Sequence, residues 1–319
     1  MVERGRPQAR RPFHGRGQDG AGVKRVLVIG NATVDVILSV RHLPAPGETV
    51  LAETEFRCAG GKGLNQAVAA ARLGVPTTLV AALGEDADGR FLREALRPEP
   101  VQTGWLASPH PTDISIISIA AGGENAIVST AASARWFSAQ AAVAAASSLG
   151  AGDILILQGN LTEATTRAAL RTARAREATT ILNTAPIAWD QRGIAAEADI
   201  VVANAGEAES LTGFVDEAAA LSLIEAGAGA AIVTRGANDA LLADLASLVH
   251  LPVATVDVVD TSGAGDVTVG TLAGALALGR SLPDALALAL AAASLSVTRR
   301  GTTPSFPTVE EMRRLVARA

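Results

Sequence analysis

From Val23 onward, short β-branched apolar runs alternate with Ala-rich stretches of helical character, a rhythm that leaves few folds open. Residues 26–30 (VLVIG), 77–82 (TTLVAA), 153–158 (DILILQ), 179–183 (TTILN), 199–203 (DIVVA) and 230–234 (AAIVT) read as strands. They are apolar almost throughout, which suits parallel strands covered on both faces and joined by helical crossovers. Residues 65–73, 90–96, 140–149, 163–176 and 207–211 read as the intervening helices, with 265–278, 283–298 and 308–317 supplying three more. Two segments, at about 47–58 and 113–130, instead alternate apolar and polar residues at period two, with a Gly-Gly-Glu-Asn turn at 122–125. Such alternation predicts half-exposed antiparallel strands, here a small sheet projecting from the main one. With no linker and no repeat of 20–50 residues, one α/β domain over residues 23–319 is expected.

Composition narrows the function. The chain is 319 residues long, 49% apolar, 18% charged and 3% aromatic, which describes a globular protein with a large core. Its longest purely apolar stretches, such as 285–293 (ALALALAAA), fall short of the roughly 18 residues that cross a membrane. A net charge of −5 gives no basic footprint for nucleic acid. Cys58 is the sole cysteine, and His14, His42, His110 and His250 have no metal-ligand spacing, so a reducing cytoplasm without structural zinc is expected. Residues 1–22 carry five arginines and five glycines without apolar periodicity; they read as a disordered tail without a signal peptide's apolar stretch. The only lysines are Lys24 and Lys62.

Two glycine clusters carry the chemistry. Gly60-Gly61-Lys62-Gly63-Leu64-Asn65 precedes an Ala-rich helix. Its backbone N–H groups, the helix's positive end, Lys62 and Asn65 suit a polyol or phosphate cradle, although a glycine turn leading into a helix would look the same. It is not a Walker A loop, because position 56 is Phe and Gly63 replaces the Ser/Thr after the Lys. Asp260-Thr261-Ser262-Gly263-Ala264-Gly265-Asp266 follows a strand-like run and opens a helix. Small residues there expose N–H groups to an anion, and Asp266 is placed either as a general base or as an ordinary helix cap. A dinucleotide fingerprint fails, since Thr268 stands where a third glycine is needed.

GGKGLNQAVAAARLG (60–74) and DTSGAGD (260–266) together resemble the signature regions of the ribokinase-like (PfkB) family of carbohydrate kinases. Residues 30–35, 46–49, 183–186 (NTAP), 204–207 (NAGE) and 297–305 match further family motifs in order, from about Val23 to the chain's end. The resemblance implies a three-layer sandwich, with a mostly parallel central sheet flanked by helices and a small β-sheet lid. It implies ATP-dependent phosphorylation of a sugar hydroxyl, ribose at O5 or a related pentose, with Asp266 as base and Gly263, Ala264 and Gly265 as anion hole. Thr33, Asp35, Gly61, Lys62, Asn65 and Asn160 would face the sugar. Asn204, Thr234, Arg235, Gly236, Asn238, Asp239 and Gly265 would lie along the nucleotide. Glu207 would reach Mg²⁺ through water, and Asp260, Ser262, Ser296, Arg299, Gly301 and Ser305 would surround a monovalent cation, K⁺.

The sequence departs from the family pattern at Thr33 and Asn160, where an Asn and a Glu are expected, and at Asp239 and Thr268, where a Gly and an aromatic are expected. The first two put the sugar in question and leave a deoxypentose open; the third predicts weaker ATP binding unless Asp239 points outward. A nucleoside or other sugar kinase of the same family, or a sugar-binding regulator without catalysis, are the alternatives. No basic residue occurs between 113 and 130, which favours an uncharged acceptor. Ile114, Ile116, Ile117 and Ile119 predict an apolar lid face and a homodimer through it. Cys58, two residues before the cradle, is expected near the sugar mouth, either packed or as a reactive thiol.

Overall fold

The computed structural model describes residues 24–122 and 124–318, so the expected N-terminal tail lies outside the described residues, as does part of the 122–125 turn. In chain order the strands are β1 (Val26–Ile29), β2 (Thr33–Val40), β3 (Thr54–Gly60), β4 (Thr77–Gly84), β5 (Gln102–Ser108), β6 (Ile114–Ala120) and β7 (Asn125–Ser129). They continue as β8 (Ile154–Gln158), β9 (Thr179–Asn183), β10 (Ile200–Asn204), β11 (Ala230–Arg235), β12 (Asn238–Asp244) and β13 (Leu248–Leu251). Nine form one sheet in the order β13-β12-β11-β10-β9-β8-β1-β4-β5. From β5 to β11 every pairing is parallel, and only the β12 and β13 edge is antiparallel.

Alternation along β1 shows why both faces are covered. Val26 and Val28 join one core, with Leu64, Val267, Leu272 and Leu288 from the helices Lys62–Arg72, Ala264–Ala277 and Leu282–Ser296. Leu27 and Ile29 join the other, with Ala142, Leu170, Ala208 and Leu223 from helices on the opposite side. This is the three-layer sandwich expected from the motifs. Burying each such Leu or Val contributes about 1.5–3 kcal/mol.

Helices Lys62–Arg72 and Ala264–Ala277 meet through small residues. A Cβ on Gly270 would lie 2.7 Å from Cβ of Ala69, and one on Gly274 would lie 2.8 Å from Leu73. Only glycine at both positions lets the two backbones approach this closely. That contact brings the two glycine clusters, 200 residues apart in sequence, to one end of the sheet.

The small sheet has the order β3-β2-β6-β7 and differs from the expected one. Residues 47–53 are not strand; pairing begins at Thr54. Its inner strand β2 went unrecognised, because β2 is apolar enough to read as a continuation of β1. The segment before Asp260, expected to be strand-like, is not a strand, and Val258 and Val259 are exposed. β5, β12, β13 and the helix Asp216–Glu225 were also missed, their patterns being short or mixed. Ile114 and Ile116 lie on one face of β6, whereas Ile117 and Ile119 lie on the other and pack against Ile37 and Cys58. The isoleucine run therefore does not make a single apolar face. No helix among the described residues is long and apolar enough to cross a membrane.

Candidate active site

Strand order reverses at β1: the chain's first half proceeds to β4 and β5, its second half to β8 and beyond. The carboxyl ends of β1 and β8 flank that switch point, where open α/β sheets bind ligands. Asp266 sits there, 5% exposed, in the first turn of helix Ala264–Ala277. Its Oδ2 accepts from Asn65 Nδ2 at 2.9 Å and its Oδ1 from Gln66 Nε2 at 3.0 Å. Lys62 Nζ lies 4.0 Å from Oδ1. Asp266 is thus no side-chain helix cap, since both oxygens face the other helix.

Gly263 opens that helix with φ +78°, and a side chain there would strike the Phe306 ring. Gly265 is exposed with open space beside it, and Ala264 stands between them. The Ala264 N–H donates to the Thr261 carbonyl at 3.2 Å, so the open space beside the helix's positive end lies at Gly265.

Asp35, on β2, is 3% exposed. Thr33 Oγ1 donates to its Oδ1 at 2.7 Å, and Thr302 Oγ1 to its Oδ2 at 3.3 Å. Burial pushes the Asp35 carboxyl up to about 6 against the pull of these bonds, and the negative charge of Asp266 adds to the rise. A side chain on Gly60 would overlap this carboxylate, and Gly61 adopts φ +92° against Thr33. Part of the expected cradle is structural: Asn31 accepts from Gly63 N through its side chain and from Leu64 N through its carbonyl. Asn65 Oδ1 and Asn160 Oδ1 are buried acceptors without a protein partner, a requirement that sugar hydroxyls would meet. Thr33, Asp35, Gly61, Lys62, Asn65 and Asp266 thus form one cluster, with Asn160 in the turn after β8. Sequence reading missed Gln66, Thr302 and Ser115, the last donating to Thr33 at 3.4 Å. Gln66 stood inside the first motif and Thr302 between two named positions; only their contacts distinguish them.

Asn204 and Glu207 form a reciprocal cap on helix Ala205–Thr212. Glu207 N donates to Asn204 Oδ1 at 2.9 Å, while the Glu207 carboxylate accepts from Asn204 N, Asn204 Nδ2 and Thr184 Oγ1. Three of its roughly four acceptor sites are taken, which fits contact with a cation through one water rather than direct ligation. Thr234, Arg235, Gly236, Asn238 and Asp239 lie at the β11–β12 hairpin, three strands from β8. The strands shift register there, and Arg235 is tied to Asp216 at 3.0 Å and to the Asp239 carbonyl. Asp239 is exposed. Thr268, where an aromatic was expected, is buried and donates to the Ala264 carbonyl at 2.9 Å.

Around the expected monovalent site, Asp260 accepts from Ser262 N and Gly301 N at 2.8 Å each. Ser262 Oγ is buried without a partner, and Ser305 Oγ, which donates to Thr302 O, keeps its lone pairs. These oxygens fit a hard monovalent cation. The Ser296 hydroxyl donates to Ala293 O, and the Arg299 side chain is paired with Glu311, so Arg299 could offer such an ion only its carbonyl. Among the described residues no three His, Cys, Asp or Glu side chains cluster as metal ligands. Cys58 is 5% exposed with Sγ 3.4 Å from Thr302 Oγ1, and burial pushes its thiol up. The reactive-thiol expectation therefore gives way to packing.

A mostly parallel sheet with a buried carboxylate at its switch point, a glycine-rich helix start and a small sheet alongside suits a small-molecule phosphotransferase. The chain belongs to the PfkB family of carbohydrate kinases, whose model matches residues 23–309. It is 32% identical to a mouse ribokinase, covering 88% of this chain and 91% of that one. It is 31% identical to a deoxyribokinase of Salmonella typhi, covering 90% and 96%. Among solved structures, a Thermotoga maritima ribokinase superposes with TM-score 0.83 at 30% identity, covering 92% of this chain and 99% of that one. An Arabidopsis thaliana ribokinase complexed with ribose and ATP superposes with TM-score 0.80 at 26% identity, with the same coverage. The protein is accordingly a phosphotransferase with an alcohol group as acceptor.

Proposed function

We propose that the protein transfers the γ-phosphoryl group of ATP to the O5 hydroxyl of an uncharged pentose, ribose or 2-deoxyribose. The observation that carries this is the buried Asp266 carboxylate, held by Asn65 and Gln66 at the start of a helix with open space beside Gly265. Asp266 takes the proton of the acceptor hydroxyl as its oxygen bonds to the γ-phosphorus and the bond to the ADP oxygen breaks. General-base assistance of this kind is worth about 10²- to 10⁴-fold. Gly263, Ala264 and Gly265 hold the charge that develops on the transferring group. Asn204 and Glu207 would reach Mg²⁺ through water, and the ion, when bound, neutralises phosphate charge. Asp260, Ser262 and Ser305 would hold K⁺ beside the helix start.

Thr33 favours the 2-deoxy sugar as the second acceptor. Its one proton is committed to Asp35, so it offers a substrate only a lone pair and a methyl group. The small sheet acts as a lid that excludes water from the transfer. Exposed Ile116 and Val128, cross-strand neighbours on that sheet, support a homodimer through it, and a reducing cytoplasm is the compartment proposed.

The test is ADP release from Mg-ATP with K⁺ across pentoses, 2-deoxypentoses, hexoses and nucleosides, with Asp266→Asn as the blank. Turnover on one acceptor that disappears in the blank supports the reading. Sugar binding without turnover on any acceptor replaces it with a binding regulator.

A further inference from the structure

Behind Asp266 and Gln66 lies a chain of buried amides whose remoter members, Gln158 and Asn183, the reaction as proposed does not use. Gln66 Nε2 donates both to Asp266 Oδ1 at 3.0 Å and to Asn183 Oδ1 at 3.2 Å. Gln66 Oε1 accepts from Gln158 Nε2 at 2.8 Å, and Asn183 Nδ2 donates to the Val202 carbonyl at 3.2 Å. Gln66 and Gln158 are fully buried and Asn183 nearly so.

The polarity of this chain is set from its two ends. Val202 O can only accept, so Asn183 turns its NH₂ to β10 and its oxygen to Gln66. Asp266, acting as an ionised base, can also only accept, so Gln66 presents its NH₂ to both. Its oxygen must then face Gln158, whose NH₂ meets it. Reversing the Gln66 amide would place its one carbonyl oxygen against both the carboxylate and Asn183 Oδ1, and its NH₂ against that of Gln158.

We infer that Gln66 is a positioning residue for the Asp266 base, and that Gln158 locks the Gln66 amide in the donating orientation from the far side. The inference rests on the reading of Asp266 as base. Gln66 fixes the carboxylate's rotation so that one oxygen remains aimed at the acceptor hydroxyl, and Asn65 holds the other edge. The site thereby extends from the sugar cluster to the carboxyl ends of β8 and β9.

A double-mutant cycle with Gln66→Met and Gln158→Met tests it. Each single variant is expected to lower kcat about tenfold or more while KM for sugar and ATP stays within about twofold, because neither side chain touches substrate. Gln158→Met removes the donor that holds Gln66 Oε1 and so frees the Gln66 amide to reverse. In the Gln66→Met background it is expected to add less than about twofold, since no amide remains to reverse. Multiplying effects, or a Gln66→Met kcat within twofold of wild type, overturns the inference. Gln158→Met, which removes only the remote donor, decides the matter if Gln66→Met does not fold: a wild-type kcat there also overturns it. Turnover surviving in Asp266→Asn would instead sink the reading of the base, leaving the two failures distinguishable.

Discussion

Asn65 Nδ2 donates a 2.9 Å hydrogen bond to the Asp266 carboxylate across 201 positions of sequence. The bond joins the two glycine-rich motifs and leaves Asn65 Oδ1 buried without a protein partner. A hydrogen bond to a charged group is worth about 1.5–3 kcal/mol, so Asn65→Leu is expected to lower kcat/KM about 10- to 100-fold. Steady-state kinetics on the preferred acceptor measures it; an unchanged value would show that the bond does not serve the reaction.

Asp35 gives a pH dependence of known sign. Its folded carboxyl, raised to about 6 from 3.8, binds protons more tightly than in the unfolded chain. Stability from this group is present below pH 4 and lost as pH rises through about 6, on the order of 3 kcal/mol. Asp35→Asn is expected to raise Tm at pH 7 and leave it nearly unchanged at pH 4, while weakening sugar binding at pH 7. Thermal melts at the two pH values decide.

Gly270 sets the distance between the two site helices. Alanine there gains about 1 kcal/mol of helix propensity, but its methyl would meet the backbone of Gln66 and Ala69 Cβ at 2.7 Å. Overpacking costs about 1–3 kcal/mol, so Gly270→Ala is expected to destabilise and, by moving Gln66 and Asn65 off Asp266, to lower kcat. Denaturant unfolding combined with kinetics would expose a failure of either half.

Glu207 combines capping with the proposed contact to Mg²⁺, and two substitutions separate these. Glu207→Gln can keep the reciprocal cap, so stability is expected to hold while the Mg²⁺ concentration needed for half-maximal rate rises. Glu207→Ala is expected to lose about 1 kcal/mol as well. Equal Mg²⁺ dependence in wild type and Glu207→Gln would confine the residue to capping.

Cys58 is buried against Ile37 and Ile117. A thiol reagent is expected to label it at least tenfold more slowly in the native protein than in denaturant, without early loss of activity. Rapid native labelling would contradict the packing.

Much of this was legible in the sequence because it is local. Period and apolar runs marked the strands β1, β4, β8, β9, β10 and β11, for burial on both faces leaves a continuous signal. The glycine motifs marked two helix starts where backbone geometry itself demands glycine, at Gly61 with φ +92° and Gly263 with φ +78°. Local pattern also placed the Asn204–Glu207 pair, which closes within one helical turn. What it could not supply is partnership across distance. β2 reads like an extension of β1, and its place between β3 and β6 follows only from pairing. The isoleucines of β6 look like one apolar run until the pleat sends them to opposite faces. Gln66, Gln158 and Asn183 are unremarkable polar residues in apolar surroundings, and their order as one polarised chain exists only once three strands and two helices meet. The sequence by itself determined the layered fold and the place of the two glycine motifs at helix starts; tertiary structure alone decided which amides hold Asp266, because hydrogen bonds between residues over a hundred positions apart leave no period in the chain.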